Sequence, residues 1–162
     1  MQGNRIAYIE QLWKLVLEHE PGNLELYREL KKQYTADEWL VKREEILGKL
    51  PAYAHVERLY KEEKLYDRLL TYVLNSPGLY ALQEYEKVLK NDYPEQILNK
   101  YKDEVSKMAV HTSDRKNYAH LVSLLRKMQQ MKGGSKLVEQ IVAEWKIKYK
   151  NRPAMMDELR KL

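Results

Sequence analysis

Residues 114–149 read DRKNYAHLVSLLRKMQQMKGGSKLVEQIVAEWKIKY, and this stretch decides the fold. Its apolar side chains recur every three or four residues, which is the spacing of one face of an α-helix. They form two stripes: Tyr118, Leu121, Val122, Leu125 and Met128, then Leu137, Val138, Ile141, Val142, Trp145 and Tyr149. Gly133 and Gly134 separate the stripes, since glycine readily takes the left-handed conformation in which helices end. Two helices joined by so short a turn are expected to fold back as an antiparallel pair.

The rest of the chain repeats this pattern between capping and turn signals. The first helix, from about Arg5 to His19, is predicted to bury Ile6, Ile9, Trp13, Val16 and Leu17. Further helix starts are predicted at Asn23, at the capping box Thr35–Glu38, at Pro51, after Ser76-Pro77-Gly78, at Pro94, after Thr112-Ser113-Asp114 and at Pro153. No run of residues alternates apolar and polar as a strand does. The sequence therefore predicts an all-α fold of about ten helices.

Internal repetition is weak. Residues 64–71 (KLYDRLLT) and 116–123 (KNYAHLVS) share lysine, tyrosine and leucine at matching positions, at an offset of 52 residues. Tetratricopeptide repeats have a period of about 34 residues, and such matches also arise between any two amphipathic helices. We expect an irregular, tetratricopeptide-like α-solenoid of stacked antiparallel helix pairs, forming a single helical-repeat domain over residues 1–162.

The absence of cysteine and of long apolar runs excludes several kinds of protein. The 162 residues contain no cysteine. This excludes disulfides, cysteine-ligated zinc and a thiol nucleophile. The apolar runs are too short to span a membrane, and the N-terminal residues do not resemble a signal peptide. We therefore expect a cytoplasmic protein that makes no use of a membrane.

Candidates for catalysis are few. The four histidines, His19, His55, His111 and His120, are not spaced to share a helix face and so predict no metal site. No serine lies in a nucleophile-elbow context. The neighbouring carboxylates Glu44-Glu45 and Glu62-Glu63 are interpreted as charged helix surface. We expect neither an enzyme nor a small-molecule substrate.

Positive charge is concentrated at the C-terminal end. Residues 111–162 hold 12 lysines and arginines against five acidic residues, a net charge of +7, whereas the first 110 residues carry −2. This pattern is typical of a solvated helix face, and the alternative is a surface for an anionic partner. The basic candidates in the last third are Arg126, Lys127, Lys132, Lys136, Lys146, Lys148, Lys150 and Arg152. Among them, Arg126, Lys127, Lys146, Lys150 and Arg152 are the predicted basic surface.

One aromatic residue could join this surface. Tyr149 shares a helical face with Lys146 and Lys150, and such a group can stack bases and neutralise phosphates. Tyr149 also continues the apolar stripe one turn beyond Trp145. This position favours packing in the core.

The C-terminal segment Arg152–Leu159, RPAMMDEL, closely resembles the Arg-Pro-Ala-Leu-Met-Asp-Glu-Leu ending of bacterial SWIM zinc-finger proteins. Other segments are similar to the helical region of that family. These are Trp39 through Leu47, Tyr93-Pro94-Glu95 with Tyr101, and Arg115-Lys116-Asn117-Tyr118 with Leu124-Leu125.

The family's zinc finger uses a Cys-x-Cys … Cys-x-His set, which a chain without cysteine cannot provide. The resemblance therefore implies that this chain is the helical C-terminal fragment of a larger protein. It implies no cofactor here, with zinc only in the missing upstream finger. Proteins of this family are often associated with Swi/Snf-type helicases, which makes such a helicase a candidate partner.

Two functions follow as expectations. The first is a non-enzymatic interaction or scaffold domain of a SWIM zinc-finger-type protein, with a protein partner in a groove between helices. The alternative is sequence-nonspecific nucleic-acid binding through the basic C-terminal third, residues 111–162. They differ in salt dependence, because phosphate contacts release counterions and an apolar groove does not.

Overall fold

A computed structural model describes residues 2–162, with Gln2 described by its backbone alone. The ten α-helices of this range are α1 Gln2–Lys14, α2 Leu24–Lys31, α3 Ala36–Lys49, α4 Glu57–Glu62, α5 Tyr66–Asn75, α6 Tyr80–Leu89, α7 Pro94–His111, α8 Arg115–Gln129, α9 Gly134–Lys148 and α10 Pro153–Leu159. A π-helical turn, Leu15–His19, continues α1, and a 3-10 turn, Ala52–Ala54, precedes α4. Residues 2–162 contain no β-strand. The prediction of an all-α fold with about ten helices is confirmed.

Side-chain caps fix several helix starts where the sequence predicted them. The Asn23 side chain accepts a hydrogen bond from the Leu26 amide at 3.0 Å. Thr35 and Glu38 form the complete capping box of α3. Asp114 caps α8 by accepting from the Asn117 amide at 2.9 Å. These bonds satisfy amides that have no partner inside the first turn of a helix.

The fourth helix begins later than predicted. Pro51 precedes the 3-10 turn, and α4 starts only at Glu57. His55 lies between them in the left-handed region with φ of 53°, which interrupts a helix. Tyr53, assigned to the packed face of that helix, is 71% exposed. Ile6 of α1 is also exposed rather than buried, whereas Leu12 and Val16 lie in the core.

The chain divides into two compact units, one ending at Leu69 and the other formed by Leu70–Leu162. The single-domain assignment over residues 1–162 stays a prediction. The first unit is built on a core of aliphatic and aromatic side chains from α1 to α4, including Leu12, Val16, Tyr27, Leu30, Trp39, Ile46 and Leu59.

A buried carboxylate lies beside this core. The side chain of Glu63, just after α4, is only 6% exposed. Its Oε1 accepts hydrogen bonds from the Tyr27 hydroxyl and the Trp39 indole, each at 2.9 Å. Its Oε2 lies 3.3 Å from Lys31 Nζ and 4.0 Å from Arg43. The interpretation of Glu63 as charged helix surface was wrong, because α2 and α3 supply donors that satisfy the carboxylate away from water.

In the second unit, α8 packs against α7, α9 and α10. The predicted stripe of α8 is buried along its whole length, and Val138, Ile141 and Trp145 bury the facing side of α9. Gly133 has φ of 77° in the turn. A Cβ on Gly134 would overlap the Met128 carbonyl oxygen, so only glycine allows this close approach of the two backbones.

Ion pairs attach α10 to the start of α8. Arg115 lies 3.3 Å from Asp157 and 3.2 Å from Glu158. Arg152 donates to the Ala109 carbonyl at 2.7 Å, at the C-terminal end of α7. The RPAMMDEL segment therefore docks the last helix through its charged residues as well as through buried Met155 and Leu159. No helix within residues 2–162 is long and apolar enough to cross a membrane.

Candidate interaction groove

The second unit contains a groove of about 510 Å³ between the end of α6, the start of α7 and the end of α8. We term it the lysine groove. Its lining consists of Glu86, Lys87, Lys90, Asn91, Pro94, Ile97, Lys127, Gln130, Met131 and Lys132. Four lysines and one glutamate give this lining a net charge of +3.

The apolar part of the lining comes from two helix ends. Pro94 is the first residue of α7, where its missing N–H is tolerated, and Ile97 follows one turn later. Ile97 is 1% exposed, while Pro94 and Met131 are half-buried. The Met131 amide donates to the Met128 carbonyl at 3.0 Å, and its carbonyl accepts from Gly134 at 2.9 Å. These bonds hold Met131 in place beside the groove.

One wall of the groove is an internal ion pair. Lys127 pairs with Glu86 and lies over the Tyr101 ring, with its Nζ 5.7 Å from the ring centroid. Glu86 also accepts a 2.6 Å hydrogen bond from the Tyr101 hydroxyl. Burial raises the pKa of Tyr101 well above its ordinary value, and the bond to Glu86 raises it further, so the hydroxyl stays a donor. The charge of Lys127 is therefore partly compensated.

Lys87, Lys90 and Lys132 differ from Lys127 because they are exposed and have no ion-pair partner within residues 2–162. They add uncompensated positive charge to the lining of the groove. The lining can thus contact an apolar group and attract negative charge.

The structure distributes the five predicted basic residues over several places. Lys127 lines the lysine groove, and none of the other four does. Arg126 donates to the Lys161 carbonyl at 2.9 Å. Lys146 lines another groove, of about 610 Å³, beside α9 and α10. Lys150 is exposed, and like Lys146 it has no ion-pair partner in the described part of the chain.

Arg152 and Tyr149 form part of the packing of the second unit. The guanidinium of Arg152 lies 4.3 Å from the centroid of the Tyr149 ring and donates to carbonyls at the end of α7. Tyr149 is 7% exposed and meets Trp145 edge-on, with centroids 6.3 Å apart. The ring is therefore unavailable for base stacking, which confirms the core-packing interpretation of Tyr149.

Lys87 and Lys90 were missed by reasoning from charge, because they belong to the first 110 residues, whose net charge is −2. A usable signal was their spacing of three residues at the end of a helix, just before a proline-started helix. Residues 2–162 contain no group of three or more histidine, aspartate or glutamate side chains placed to hold a metal ion.

No protein-family model, curated protein sequence or solved structure matches this chain.

Proposed function

We propose that this chain is a non-enzymatic helical interaction domain of a SWIM zinc-finger-type protein, and that it binds a protein partner in the lysine groove. The observation that carries the proposal is the composition of the groove. It combines the exposed apolar surface of Pro94 and Met131 with unpaired lysines in the same lining. Protein interfaces commonly combine apolar and polar contacts in this way.

The packing of the second unit supports a solenoid of stacked antiparallel helix pairs. α8 contacts both the next helix, α9, and the one after it, α10. Contacts of this kind arise when helix pairs stack in sequence, and such stacks use grooves to hold peptides and helices. A Swi/Snf-type helicase remains the proposed partner, on the basis of the RPAMMDEL segment and the other similarities to the SWIM family.

The second candidate function is sequence-nonspecific nucleic-acid binding through residues 111–162. Its supporting observation is that Lys146 and Lys150 are exposed and unpaired within the described residues. Arg126 and Arg152 keep their charge but already donate hydrogen bonds to main-chain carbonyls, so fewer of their donors are free for phosphates. We therefore favour the protein partner.

Selection from a displayed library of random dodecapeptides tests the proposal. The exposed groove residue Gln130 is replaced in a Gln130→Trp variant, which adds bulk to the groove. Gln140→Trp, at an exposed position of α9 outside the groove, is the matched control. We expect enriched peptides that bind the wild type and the control and lose affinity for Gln130→Trp. Failure to enrich any peptide, or enrichment insensitive to Gln130→Trp, would overturn the groove as a protein-binding site.

Fluorescence anisotropy with labelled dodecathymidylate tests the nucleic-acid alternative. If residues 111–162 neutralise about 4–6 phosphates, log affinity should fall against log salt with a slope of about −3 to −5. Micromolar binding with that slope, reduced in a Lys146→Ala/Lys150→Ala variant, would favour nucleic acid over the protein partner.

A further inference from the structure

We infer that the partner segment held by the lysine groove is acidic and carries an apolar anchor side chain. This inference rests on the proposed protein-binding function and specifies the chemistry of the partner.

The charges of the lining favour a negatively charged partner segment. Lys87, Lys90 and Lys132 have no carboxylate of their own chain to pair with in the described structure, and the lining as a whole is +3. A basic segment would add like-charge repulsion, whereas carboxylates would complement the lysines. Exposed ammonium groups also attract carboxylates without a large desolvation cost.

The apolar lining favours an apolar anchor side chain in the partner segment. Ile97 is almost fully buried, and Pro94 and Met131 are half-buried beside it. Ile97 is thus already covered by its own chain, and an aliphatic partner side chain would cover the exposed parts of Pro94 and Met131. This would remove apolar surface from water and contribute binding energy. The unbranched methionine side chain can adapt to several anchor shapes.

The same lining disfavours nucleic acid as the occupant. None of its ten residues is aromatic and none is arginine. Single strands are commonly held by stacking of bases on aromatic rings, and phosphates by the paired donors of arginine. The groove offers lysine point charges and aliphatic surface in one lining, which fits carboxylates and an aliphatic anchor.

Glu86 gives the inference a distinctive consequence. Its carboxylate lies in the lining and partly neutralises Lys127. A Glu86→Gln variant keeps an oxygen that can accept from the Tyr101 hydroxyl, yet it removes the negative charge and releases Lys127. An acidic partner should then bind more tightly than it binds the wild type.

The test uses four labelled dodecapeptides. Three have leucines at the same positions and glutamate, glutamine or lysine elsewhere, and the fourth is the glutamate peptide with each leucine replaced by serine. Affinities for the full chain are measured by fluorescence anisotropy. We expect the glutamate peptide to bind tightest and a glutamate peptide with serine in place of leucine to lose most of its affinity. Equal or tighter binding of the glutamine or lysine peptide would overturn the inference, as would equal binding of the serine peptide.

Variants then localise the effect. Lys90→Gln/Lys132→Gln should weaken binding of the glutamate peptide about two- to twentyfold, and Glu86→Gln should strengthen it about two- to fivefold. Lys146→Gln/Lys150→Gln removes the same charge outside the groove and should leave the affinity unchanged. Thermal melts identify any variant that has lost its fold. Glu86→Gln should strengthen binding, whereas a loss of folding would weaken it, so the two effects can be told apart.

The two proposals fail differently. Library peptides that depend on the groove but are neutral or basic would leave the protein-binding function standing and refute the acidic partner. Dodecathymidylate that binds more tightly than the glutamate peptide and is weakened by Lys90→Gln/Lys132→Gln would assign the groove to nucleic acid.

Discussion

The polar cluster beside the core of the first unit and the α8–α9 hairpin of the second unit pack through different chemistry. In the unit ending at Leu69, the Tyr27 hydroxyl of α2 and the Trp39 indole of α3 donate hydrogen bonds to one buried carboxylate, that of Glu63. In the unit Leu70–Leu162, α8 and α9 meet through uninterrupted apolar stripes that end at a glycine turn. This comparison shows that apolar packing can be predicted from the spacing of apolar residues along one helix. A buried polar cluster depends instead on residues 24–36 positions apart.

The largest effect is expected in the apolar hairpin of the second unit. Trp145→Ala should reduce the free energy of unfolding by about 3–5 kcal/mol, because it removes a large buried ring and leaves a cavity. Denaturant titration measures the change. Lys146→Ala, at the adjacent exposed position, should stay within about ±0.5 kcal/mol. A larger cost for Lys146 than for Trp145 would show that the faces of α9 are wrongly assigned.

A somewhat smaller effect is expected in the first unit. Glu63→Leu should cost about 2–4 kcal/mol, because the buried Tyr27 hydroxyl and Trp39 indole lose their acceptor. Glu63→Gln keeps an acceptor oxygen and should cost less. Denaturant titration of both variants measures how much the hydrogen bonds to Glu63 contribute to the free energy of unfolding. Equal stability of the leucine variant and the wild type would mean that Glu63 does not hold the first unit together.

Substitutions in the glycine turn separate steric overlap from backbone strain. Gly134→Ala should cost about 2–3 kcal/mol, since its Cβ would overlap the Met128 carbonyl and the backbones must move apart. Gly133→Ala should cost about 1 kcal/mol, because there is space for the methyl group but φ is positive. Thermal unfolding of the two variants gives the order, and a greater loss for Gly133→Ala would contradict it.

Acid should weaken both units modestly. The hydrogen bond from Arg28 lowers the pKa of Glu62 below its ordinary value of 4.5. Burial tends to raise the pKa of Glu104, but Lys100 and Lys107 outweigh it and lower that pKa. A folded-state pKa below the unfolded value means that the unfolded chain takes up protons first. The stabilisation is therefore present above about pH 4.5 and is lost as pH falls through the folded-state pKa values.

Urea titrations between neutral pH and pH 3 measure this loss. Glu104→Gln and Glu62→Gln should each flatten the decline, one in each unit. Unfolding free energy that rises below pH 4.5 would contradict the assigned ion pairs.

Local chemistry made most helix starts predictable. Asn23, Thr35 and Asp114 cap helices through bonds to amides three residues away, so a short stretch of sequence contains the whole interaction. The fourth helix was misplaced because proline at position 51 is compatible with either a helix start or a 3-10 turn. The left-handed conformation of His55 then displaces the helix start to Glu57.

The sequence by itself determined the all-α class, the α8–α9 hairpin and the burial of Trp145 and Tyr149, because these depend on periodicity and on contacts within one or two turns. Only the tertiary structure decided that Glu63 is buried and that Lys87 and Lys90 share a groove with Lys127 and Lys132. Lys87 and Lys90 lie about 40 positions before Lys127 and Lys132 in the chain. Their proximity comes from helix packing, which the charge pattern along the sequence does not encode.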